Sequence, residues 1–228
     1  MQPWQNLLVA ANPMCAMSEK IFIFGASGHA KVVIDAVRCN QDFDIALLVD
    51  DDPVRLDTEL LGHRVIGGRK KLADFRPEVK SGIVAIGDNA LRLAVAEWLA
   101  AAGFGFIRAI HSHAVVAVSA SVGVGTLVMP GCVVNADARI GAHAIVNTAA
   151  TVDHDCIVQD GVHLGPGTHL CGSVFVGRGS LVGAGSVVLP GVRIGDGALI
   201  GAGSTVLNDI PDGVRAVGSP CRILGSVV

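Results

Sequence analysis

The amino-acid sequence predicts a small parallel α/β domain followed by a parallel β-helix built from six-residue repeats. From Val116 to Val206 an aliphatic residue recurs at every sixth position without a break in phase. An α-helix cannot keep a period of six on one face, whereas a short strand followed by a turn can. Before these repeats, strand-like segments alternate with helical ones, a pattern that is typical of a parallel sheet.

A second series of residues, here called the corner series, follows four positions after the aliphatic series. It consists of Ala120, Thr126, Cys132, Ala138, Ala144, Ala150, Cys156, Val162, Thr168, Val174, Ser180, Ser186, Val192, Ala198, Ser204 and Ile210, all but the last small or medium-sized. We expect the aliphatic side chains to point inward and the corner series to fill the corners between strands. Glycines that follow the aliphatic residues, such as Gly183 and Gly201, are expected to permit turn conformations. A generic Val- and Gly-rich β domain would not keep one phase for so long.

Composition limits the classes of function. The chain has 228 residues, of which 51% are hydrophobic and 16% charged, and no apolar run approaches the length of about 18 residues that a membrane span needs. A net charge of −3 without a basic cluster argues against nucleic-acid binding. None of the 6 cysteines forms a C-x-x-C pair, so we expect neither a zinc site nor a redox motif, and reduced thiols in a cytoplasmic protein.

The change of period divides the chain into segments. We predict a disordered extension over residues 1–17, the α/β domain over residues 18–110 and the β-helix over residues 111–228. Within the α/β domain we predict strands at 21–24, 45–49 and 83–86, a helix at 30–37 and a longer helix that ends near 102. Strands that are each followed by a helix imply parallel pairing.

The predicted turn from Gly25 to His29 lies between a strand and the N-terminus of a helix. Such a turn offers free backbone N–H groups to an anion. Asp50 and Asp51 follow the next strand, where a Rossmann site would place its ribose-binding acid. The G-x-G-x-x-G sequence of NAD sites is absent. The turn therefore indicates either a nucleotide phosphate site or a purely structural connection between strand and helix.

His154 is unusual because it is flanked by Asp153 and Asp155 in a region whose repeats contain few ionisable residues. A neutral imidazole can take up a proton near pH 7, and a carboxylate beside it can hold the required tautomer. Neighbouring residues in a strand point to opposite faces, so Asp155 can reach His154 only at a corner. The pattern predicts either a general base or a solvated polar corner.

The repeats resemble the left-handed β-helix of the hexapeptide-repeat acyltransferases. The resemblance implies three repeats per triangular coil and about five coils in this chain. On this geometry Gly172 stacks one coil after His154, where its backbone N–H could stabilise an oxyanion, and the alternative is a simple turn glycine. The related gamma-class carbonic anhydrases bind zinc through three histidines, but His163 and His169 would lie on successive faces, so we expect no metal.

The chain from Ile21 to Leu224 resembles the sialic-acid O-acetyltransferase-like group, which includes bacterial N-acetyltransferases acting on nucleotide-linked amino sugars. The matching segments are residues 24–33, Asp50-Asp51, residues 85–89, Asn147-Thr148 with His154-Asp155, and Gly218-Ser219-Pro220. The resemblance implies a homotrimer that binds acetyl-CoA between neighbouring β-helices. It also implies that the N-terminal domain holds a sugar nucleotide.

Residue roles follow from the same resemblance. It implies that His154 is the general base, that Asp155 supports it, and that the Gly172 amide faces the acetyl carbonyl. The residues expected to bind the nucleotide sugar are Gly25, Ser27, Gly28, His29, Asp50 and Asp51. Those expected to contact the substrate or the cofactor are Asn147 and His163, and those expected to bind CoA are Gly183 and Gly201.

These implications predict a cytoplasmic, acetyl-CoA-dependent N-acetyltransferase that acts on a UDP- or GDP-linked amino sugar in bacterial surface-glycan biosynthesis. Direct transfer is expected, because no Ser or Cys has a clear activating base. Two alternatives stay open. A sialic-acid-type O-acetyltransferase would use the same base on a hydroxyl, and a β-helix protein without enzymatic activity would not need His154. A serine acetyltransferase would carry a helical N-terminal domain instead.

Overall fold

The computed structural model describes residues 18–39 and 42–227. The extension that the sequence predicts at residues 1–17 lies outside the described residues. The described chain forms a parallel sheet with helices and, after it, a three-faced β-helix, in the predicted order. Among the described helices none combines the length and the apolar character needed to cross a membrane.

The N-terminal domain is a four-stranded parallel sheet with helices. Its elements are β1 (Glu19–Phe24), α1 (Gly28–Arg38), β2 (Phe43–Val49), a short 3-10 helix (Pro53–Arg55), β3 (Glu59–Leu60), β4 (His63–Arg64), α2 (Arg69–Asp74), β5 (Ser81–Val84), α3 (Asn89–Ala101) and β6 (Gly105–Phe106). The parallel sheet has the order β2-β1-β5-β6, whereas β3 and β4 form a separate antiparallel pair. The carboxyl ends of β1 and β2 lie side by side, and each leads into a predicted site segment.

The repeats form a parallel β-helix with three faces, each a stack of two-residue strands. The first face contains β7 (Ala109–Ile110), β10 (Leu127–Val128), β13 (Ile145–Val146), β16 (His163–Leu164), β19 (Leu181–Val182) and β22 (Leu199–Ile200). The second face contains β8 (Val115–Val116), β11 (Val133–Val134), β14 (Thr151–Val152), β17 (His169–Leu170), β20 (Val187–Val188) and β23 (Thr205–Val206). The third face contains β9 (Ser121–Val122), β12 (Arg139–Ile140), β15 (Ile157–Val158), β18 (Phe175–Val176) and β21 (Arg193–Ile194).

The described chain therefore has five complete coils and two strands of a sixth. At the end, β24 (Val214–Val217) extends the first face and β25 (Arg222–Ser226) pairs with it in antiparallel fashion. Strands of neighbouring coils are in register, so that Thr151 lies opposite His169. Both residue series are in their predicted places, because the aliphatic residues from Val128 onward and the corner series from Thr126 onward are buried.

The prediction that the glycines after the aliphatic residues permit turn conformations is wrong. A Cβ atom at Gly183 would lie 2.5 Å from the Ala202 backbone nitrogen, so such glycines allow the next coil to approach closely. The left-handed turn conformation belongs to a different series, three positions after the aliphatic residues. That series includes Gly131, Gly161 and Asp155.

The N-terminal domain packs against the first face and the corner between the third and first faces. Helix α1 contacts β7, and side chains of α3 bond to the corner carbonyls of His143, Gly161 and Gly179. Apolar residues of the sheet, of α1 and of the β-helix form one continuous core. The corner between the second and third faces therefore lies on the opposite side of the β-helix from this domain.

Candidate functional site

His154 and Asp155 form the turn between β14 on the second face and β15 on the third face. Asp155 has a left-handed backbone conformation with a φ of 59°, which Asp tolerates better than most residues. This turn brings the two neighbouring side chains together, with His154 Nδ1 2.8 Å from Asp155 Oδ2. The corner geometry on which their predicted contact depended is present, and both side chains are 59% exposed.

The hydrogen bonds of His154 define which ring nitrogen can act as a base. A carboxylate accepts hydrogen bonds, so Nδ1 carries the ring proton and Nε2 keeps its lone pair. The hydrogen bond to Asp155, and then the charge of Asp153, raise the pKa of the His154 imidazole above its ordinary value. Asp153 Oδ1 accepts from the His154 backbone N–H and from Asn135 Nδ2, each at 2.8 Å. Sequence reasoning missed Asn135, which has no local signal because its partner lies one coil away.

Gly172 stacks against His154 from the next coil. A Cβ atom at position 172 would lie 2.5 Å from both Cε1 and Nε2 of the imidazole, so a larger residue would displace the ring. The main chain sets this register, because the Ser173 N–H donates to the His154 carbonyl at 2.9 Å. Among the described residues no protein group accepts the Gly172 N–H. The Nε2 lone pair and an available backbone donor thus share one small site.

The thiol that directly follows this turn, Cys156, is not a nucleophile. Cys156 is fully buried, and burial raises the pKa of its thiol to about 11. Its Sγ donates to the Cys171 carbonyl at 3.1 Å. A protonated, buried thiol is chemically inert at neutral pH, and the burial of Cys156 agrees with its predicted place in the corner series.

A second group of polar residues lies where the first face meets the N-terminal domain. His163 Nδ1 is 3.3 Å from the Gly87 carbonyl and therefore donates to it, while His163 Nε2 accepts from Asn147 Nδ2 at 3.1 Å. His29 faces His163, with ring centroids 6.4 Å apart. Burial, and then the positive charge of Arg92, lower the pKa of both imidazoles to about 4. Both rings are therefore neutral at pH 7.

Arg92 organises this group and was missed by sequence reasoning. Its side chain is fully buried, and its guanidinium donates to the carbonyls of His143 and Gly161 in the β-helix, each at 2.8 Å. The remaining bonds go to two carbonyls of the loop before α3 and to Asn89 Oδ1. Burial lowers the pKa of the guanidinium to about 10, which leaves it charged at pH 7. A lone arginine within the apolar sequence of α3 was the signal that could have found it.

The turn after β1 is held by Asp50 rather than left open to an anion. Asp50 Oδ2 accepts from the Ala26 backbone N–H at 2.7 Å, and Oδ1 accepts from the Asp52 N–H at 2.9 Å. Gly25 has a φ of 109°, and a Cβ atom there would lie 2.8 Å from the Ala85 carbonyl oxygen. The fold itself requires this glycine. A carboxylate at this place would repel a phosphate that approached the same N–H.

Of the next three residues of the turn, Ser27 and Gly28 are exposed and His29 is half-buried. Ser27 is the N-cap of α1, and its side chain makes no capping bond. A Cβ atom at Gly28 would have nothing within 4 Å. The Nε2 atom of His29 is buried without a hydrogen-bond partner in the described part of the chain, as expected where a ligand or water completes the site.

Asp51 is also engaged within its own domain. Its carboxylate accepts from the Arg69 backbone N–H at 2.9 Å and from Arg69 Nε at 2.6 Å, at the start of α2. The Arg69 guanidinium lies over the rings of Phe24 and Trp98. Asp50 and Asp51 thus each hold one loop at the carboxyl edge of the sheet. Neither is free in the manner of a Rossmann ribose-binding acid, so their part in nucleotide binding stays a prediction.

The two glycines predicted to bind CoA follow β19 and β22 on the first face. The packing between coils already accounts for both of them. A Cβ atom would lie 2.5 Å from the Ala202 nitrogen at Gly183 and 2.6 Å from Val217 Cγ1 at Gly201. A contact with CoA at these positions stays a prediction.

The structure does not bring all predicted site residues together within one chain. His154, Asp155 and Gly172 lie at the corner between the second and third faces. His163 and Asn147 instead lie at the first face, beside the turn from Gly25 to His29, which is the predicted nucleotide turn. In a three-sided prism that corner is opposite the first face. The predicted site residues of one chain therefore form two separate groups on opposite sides of its β-helix.

Within the described residues, Asp35, Cys39 and His111 bring three potential metal ligands within 4.8 Å of one another. His111 Nδ1 accepts a hydrogen bond from the His113 backbone N–H at 3.0 Å, so its Nε2 must carry the ring proton. Nε2 lies 3.3 Å from Cys39 Sγ and has no lone pair to offer a metal ion. The cluster therefore does not fit a metal centre.

Two family models match this chain. The model of the PglD N-terminal domain matches residues 20–99, and the model of the bacterial transferase hexapeptide (six repeats) matches residues 173–208. Among curated proteins, UDP-N-acetylbacillosamine N-acetyltransferase from Bacillus subtilis (strain 168) is 39% identical over 115 residues. This match spans 49% of the chain and 51% of the relative, so the chain aligns with about half the length of that protein.

Similar solved structures cover both domains. A variant of perosamine N-acetyltransferase from Caulobacter crescentus, in complex with CoA and GDP-perosamine, is 42% identical with a TM-score of 0.87, over 92% of this chain and 99% of that one. The acetyltransferase domain of PglB from Neisseria gonorrhoeae FA1090, in complex with acetyl coenzyme A, is 37% identical with a TM-score of 0.85, over 91% and 100% of the two chains. The chain therefore belongs to the hexapeptide-repeat N-acetyltransferases of nucleotide-linked amino sugars.

Proposed function

We propose that this protein is an acetyl-CoA-dependent N-acetyltransferase that acts on the amino group of a nucleotide-linked amino sugar. The observation that carries the proposal is the arrangement at one corner of the β-helix. Asp155 holds Nδ1 of His154, and the Nε2 lone pair lies beside Gly172. A base next to a backbone donor fits acyl transfer to an amine. The relatives that contain CoA with GDP-perosamine, or acetyl coenzyme A, support this assignment.

The proposed reaction is a direct transfer. The sugar amine attacks the thioester carbonyl carbon of acetyl-CoA, while His154 Nε2 takes one proton from the amine nitrogen. The Gly172 N–H stabilises the negative charge that develops on the carbonyl oxygen. When the tetrahedral intermediate collapses, the C–S bond breaks and the imidazolium returns its proton to the CoA sulfur. The products are the N-acetylated sugar and free CoA, and His154 is neutral again.

The state of the cysteines supports direct transfer and a reducing environment. Burial raises the pKa of the Cys132 and Cys156 thiols to about 11, so neither offers a thiolate for an acyl-enzyme. In the described part of the chain, Cys39, Cys171 and Cys221 are free as well. Free thiols suit the cytoplasm, where we propose that the enzyme acts.

We further propose that the active form is a homotrimer whose sites are completed between chains. A sugar bound beside Gly28 lies against the first face and cannot reach His154 of the same chain through the β-helix core. Copies arranged around a rotation axis parallel to the β-helix can place the His154 corner of one chain near the nucleotide turn of the next. Acetyl-CoA would lie in the same interface, beside Gly183 and Gly201.

A thiol-release assay tests the proposed activity. Acetyl-CoA would be offered together with UDP- and GDP-linked amino sugars, with nucleotide sugars in which a hydroxyl replaces the amine, with free sialic acid and with serine. We expect release of CoA when the acceptor is an amino-sugar nucleotide and with none of the other acceptors. Release with a hydroxyl acceptor but not with its amine counterpart would favour O-acetylation. No release with any nucleotide amino sugar would contradict the proposal.

A further inference from the structure

The corner series has a different character at each corner of the β-helix. At the corner between the second and third faces it consists of Ala120, Ala138, Cys156, Val174, Val192 and Ile210. Cys156 is the member of this row whose side chain carries a hydrogen-bond donor, and it directly follows the His154–Asp155 turn. At the other two corners buried hydroxyl groups are frequent, for example Thr126 and Ser180. A donor in this row therefore marks the coil that bears the proposed base.

The partner of this donor is the carbonyl of the residue before Gly172. Cys156 Sγ donates to the Cys171 carbonyl at 3.1 Å. Several carbonyls at the equivalent place in other repeats accept an N–H from their own turn, as Asn147 does from Ala150 at 2.9 Å. The Cys171 carbonyl has no such bond, and the thiol is its protein donor within the described residues. Because burial raises the pKa of the Cys156 thiol to about 11, the sulfur keeps its proton at neutral pH.

This bond has a consequence for the neighbouring amide. The peptide unit between Cys171 and Gly172 is planar and trans, so its N–H points away from its carbonyl oxygen. A carbonyl held toward the buried thiol therefore aims the Gly172 N–H outward from the core. Gly172 cannot supply this restraint itself, since a glycine backbone has wide conformational freedom. An anchor on the preceding carbonyl restricts the direction in which the N–H points.

We propose that Cys156 is a positioning residue for the acetyl group: its thiol holds the Cys171–Gly172 peptide plane so that the Gly172 N–H faces the thioester carbonyl. The inference rests on the proposed acetyl transfer. The thiol touches neither substrate and forms no covalent bond in the reaction. It acts only through the orientation of one backbone amide.

Three variants separate positioning from packing. Cys156→Val removes the donor and introduces the residue that the same row carries one coil later, at Val174. Cys156→Ser keeps a donor of the kind that Ser180 directs to the Gly195 carbonyl at 2.6 Å. Ser180→Ala is the matched control, because it deletes an equivalent buried hydrogen bond at another corner. Melting temperatures and sedimentation establish that each variant folds and assembles, and Cys156→Ala replaces Cys156→Val if the valine is not accommodated.

The kinetic outcome distinguishes the variants. In Cys156→Val we expect kcat to fall by about 10- to 100-fold, because a misdirected oxyanion donor stabilises the transition state less. The KM values of both substrates and the acidic limb of the pH profile should stay unchanged, since the base and the binding surfaces are intact. Cys156→Ser should recover most of the loss, and Ser180→Ala should keep the wild-type kcat. A wild-type kcat in Cys156→Val would overturn the inference.

A vibrational measurement tests the same amide without an acceptor sugar. A hydrogen bond from the Gly172 N–H lowers the stretching frequency of the bound thioester carbonyl, which carbon-13 acetyl-CoA makes visible in an infrared difference spectrum. We expect this shift in wild type and Cys156→Ser and a smaller one in Cys156→Val. Equal frequencies in wild type and Cys156→Val would overturn the inference. If the shift depends on the thiol but the enzyme acetylates no amino sugar, the proposed acceptor is wrong and the role of Cys156 stands. If the enzyme does not bind acetyl-CoA, both the proposed function and the inference about Cys156 are wrong.

Discussion

The His154 ring occupies space that is open because residue 172 is a glycine, since a Cβ atom at position 172 would lie 2.5 Å from the imidazole Nε2. The two residues belong to neighbouring coils, which are joined by the bond from the Ser173 N–H to the His154 carbonyl. Their distance is therefore set by the main chain of the β-helix and not by a flexible loop. We therefore expect both residues to be sensitive to small substitutions.

Gly172→Ala should lower kcat by about 10²-fold, because the added methyl group displaces the ring from the geometry needed for proton transfer. Steady-state kinetics with both substrates would measure the effect, and circular dichroism would verify the fold. Gly105→Ala is the control, as a Cβ atom there makes an ordinary contact of 3.6 Å with Ser81. Wild-type turnover in Gly172→Ala would show that the ring position is not critical.

His154→Ala should lower turnover by about 10²–10⁴-fold, the usual contribution of a general base. Binding of acetyl-CoA, measured by calorimetry, should persist because the imidazole is 59% exposed and supports no core packing. His169→Ala serves as a control histidine on the second face. If His154→Ala retained wild-type turnover at saturating amino-sugar nucleotide, another group would have to be the base.

Asp155→Asn should move the acidic limb of the kcat profile to lower pH. His154 must be neutral to accept a proton, so activity falls as the pH drops through its pKa. The hydrogen bond to Asp155 raises that pKa, and its loss lowers it. The plateau rate should also fall, by less than in His154→Ala, because Nδ1–H is held less firmly. Asp137→Asn, at the corresponding left-handed position one coil earlier, should leave the limb in place. If the acidic limb stayed at the wild-type pH in Asp155→Asn, the Asp155 carboxylate would not be setting the pKa of the base.

Mixed trimers test whether the site is shared between chains. Gly28→Val should raise the KM for the sugar nucleotide and leave acetyl-CoA affinity almost unchanged, because the position opens onto empty space and the fold tolerates the change. His154→Ala removes the base from the opposite side of the β-helix. When the two variants are unfolded and refolded together, some interfaces should combine an intact nucleotide turn with an intact His154 and recover activity. If verified mixed trimers recovered no activity, the nucleotide turn and His154 would have to act within the same chain.

The buried histidines should make stability depend on pH. The folded-state pKa of His29 and His163 is about 4, below the ordinary value of 6.5. The unfolded chain therefore binds more protons, and stability is lost as the pH falls from about 6.5 toward 4, by up to about 1.4 kcal/mol per pH unit for each histidine. His163→Gln should show a smaller drop in melting temperature between pH 7 and pH 5, at equal protein concentration. His169→Gln replaces an exposed histidine and should show the same drop as wild type. Equal drops in melting temperature in wild type, His163→Gln and His169→Gln would refute the claim that buried His163 makes stability depend on pH.

The sequence by itself determined the β-helix and the main features of the corner that carries the proposed base. A period of six is a local property, so Val152 and Cys156 could be assigned to the core before any contact was known. The constant length of a coil likewise placed Gly172 beside His154, where the structure has it. The three longer strands and the two longer helices of the N-terminal domain followed from apolar patterns of the same local kind, whereas the short elements α2, β3, β4 and β6 were not predicted.

Only the tertiary structure decided how the remaining polar groups are used. Arg92 donates to carbonyls 51 and 69 residues away, at His143 and Gly161, and no local pattern encodes such partners. Asp50, predicted to bind the nucleotide, is committed to the Ala26 N–H of an adjacent loop. The docking of the N-terminal domain on the first face also put its turn on the far side from His154. These outcomes depend on which surfaces meet after the chain has folded. A buried polar group needs a hydrogen-bond partner, and that partner can come from any segment that packs against it.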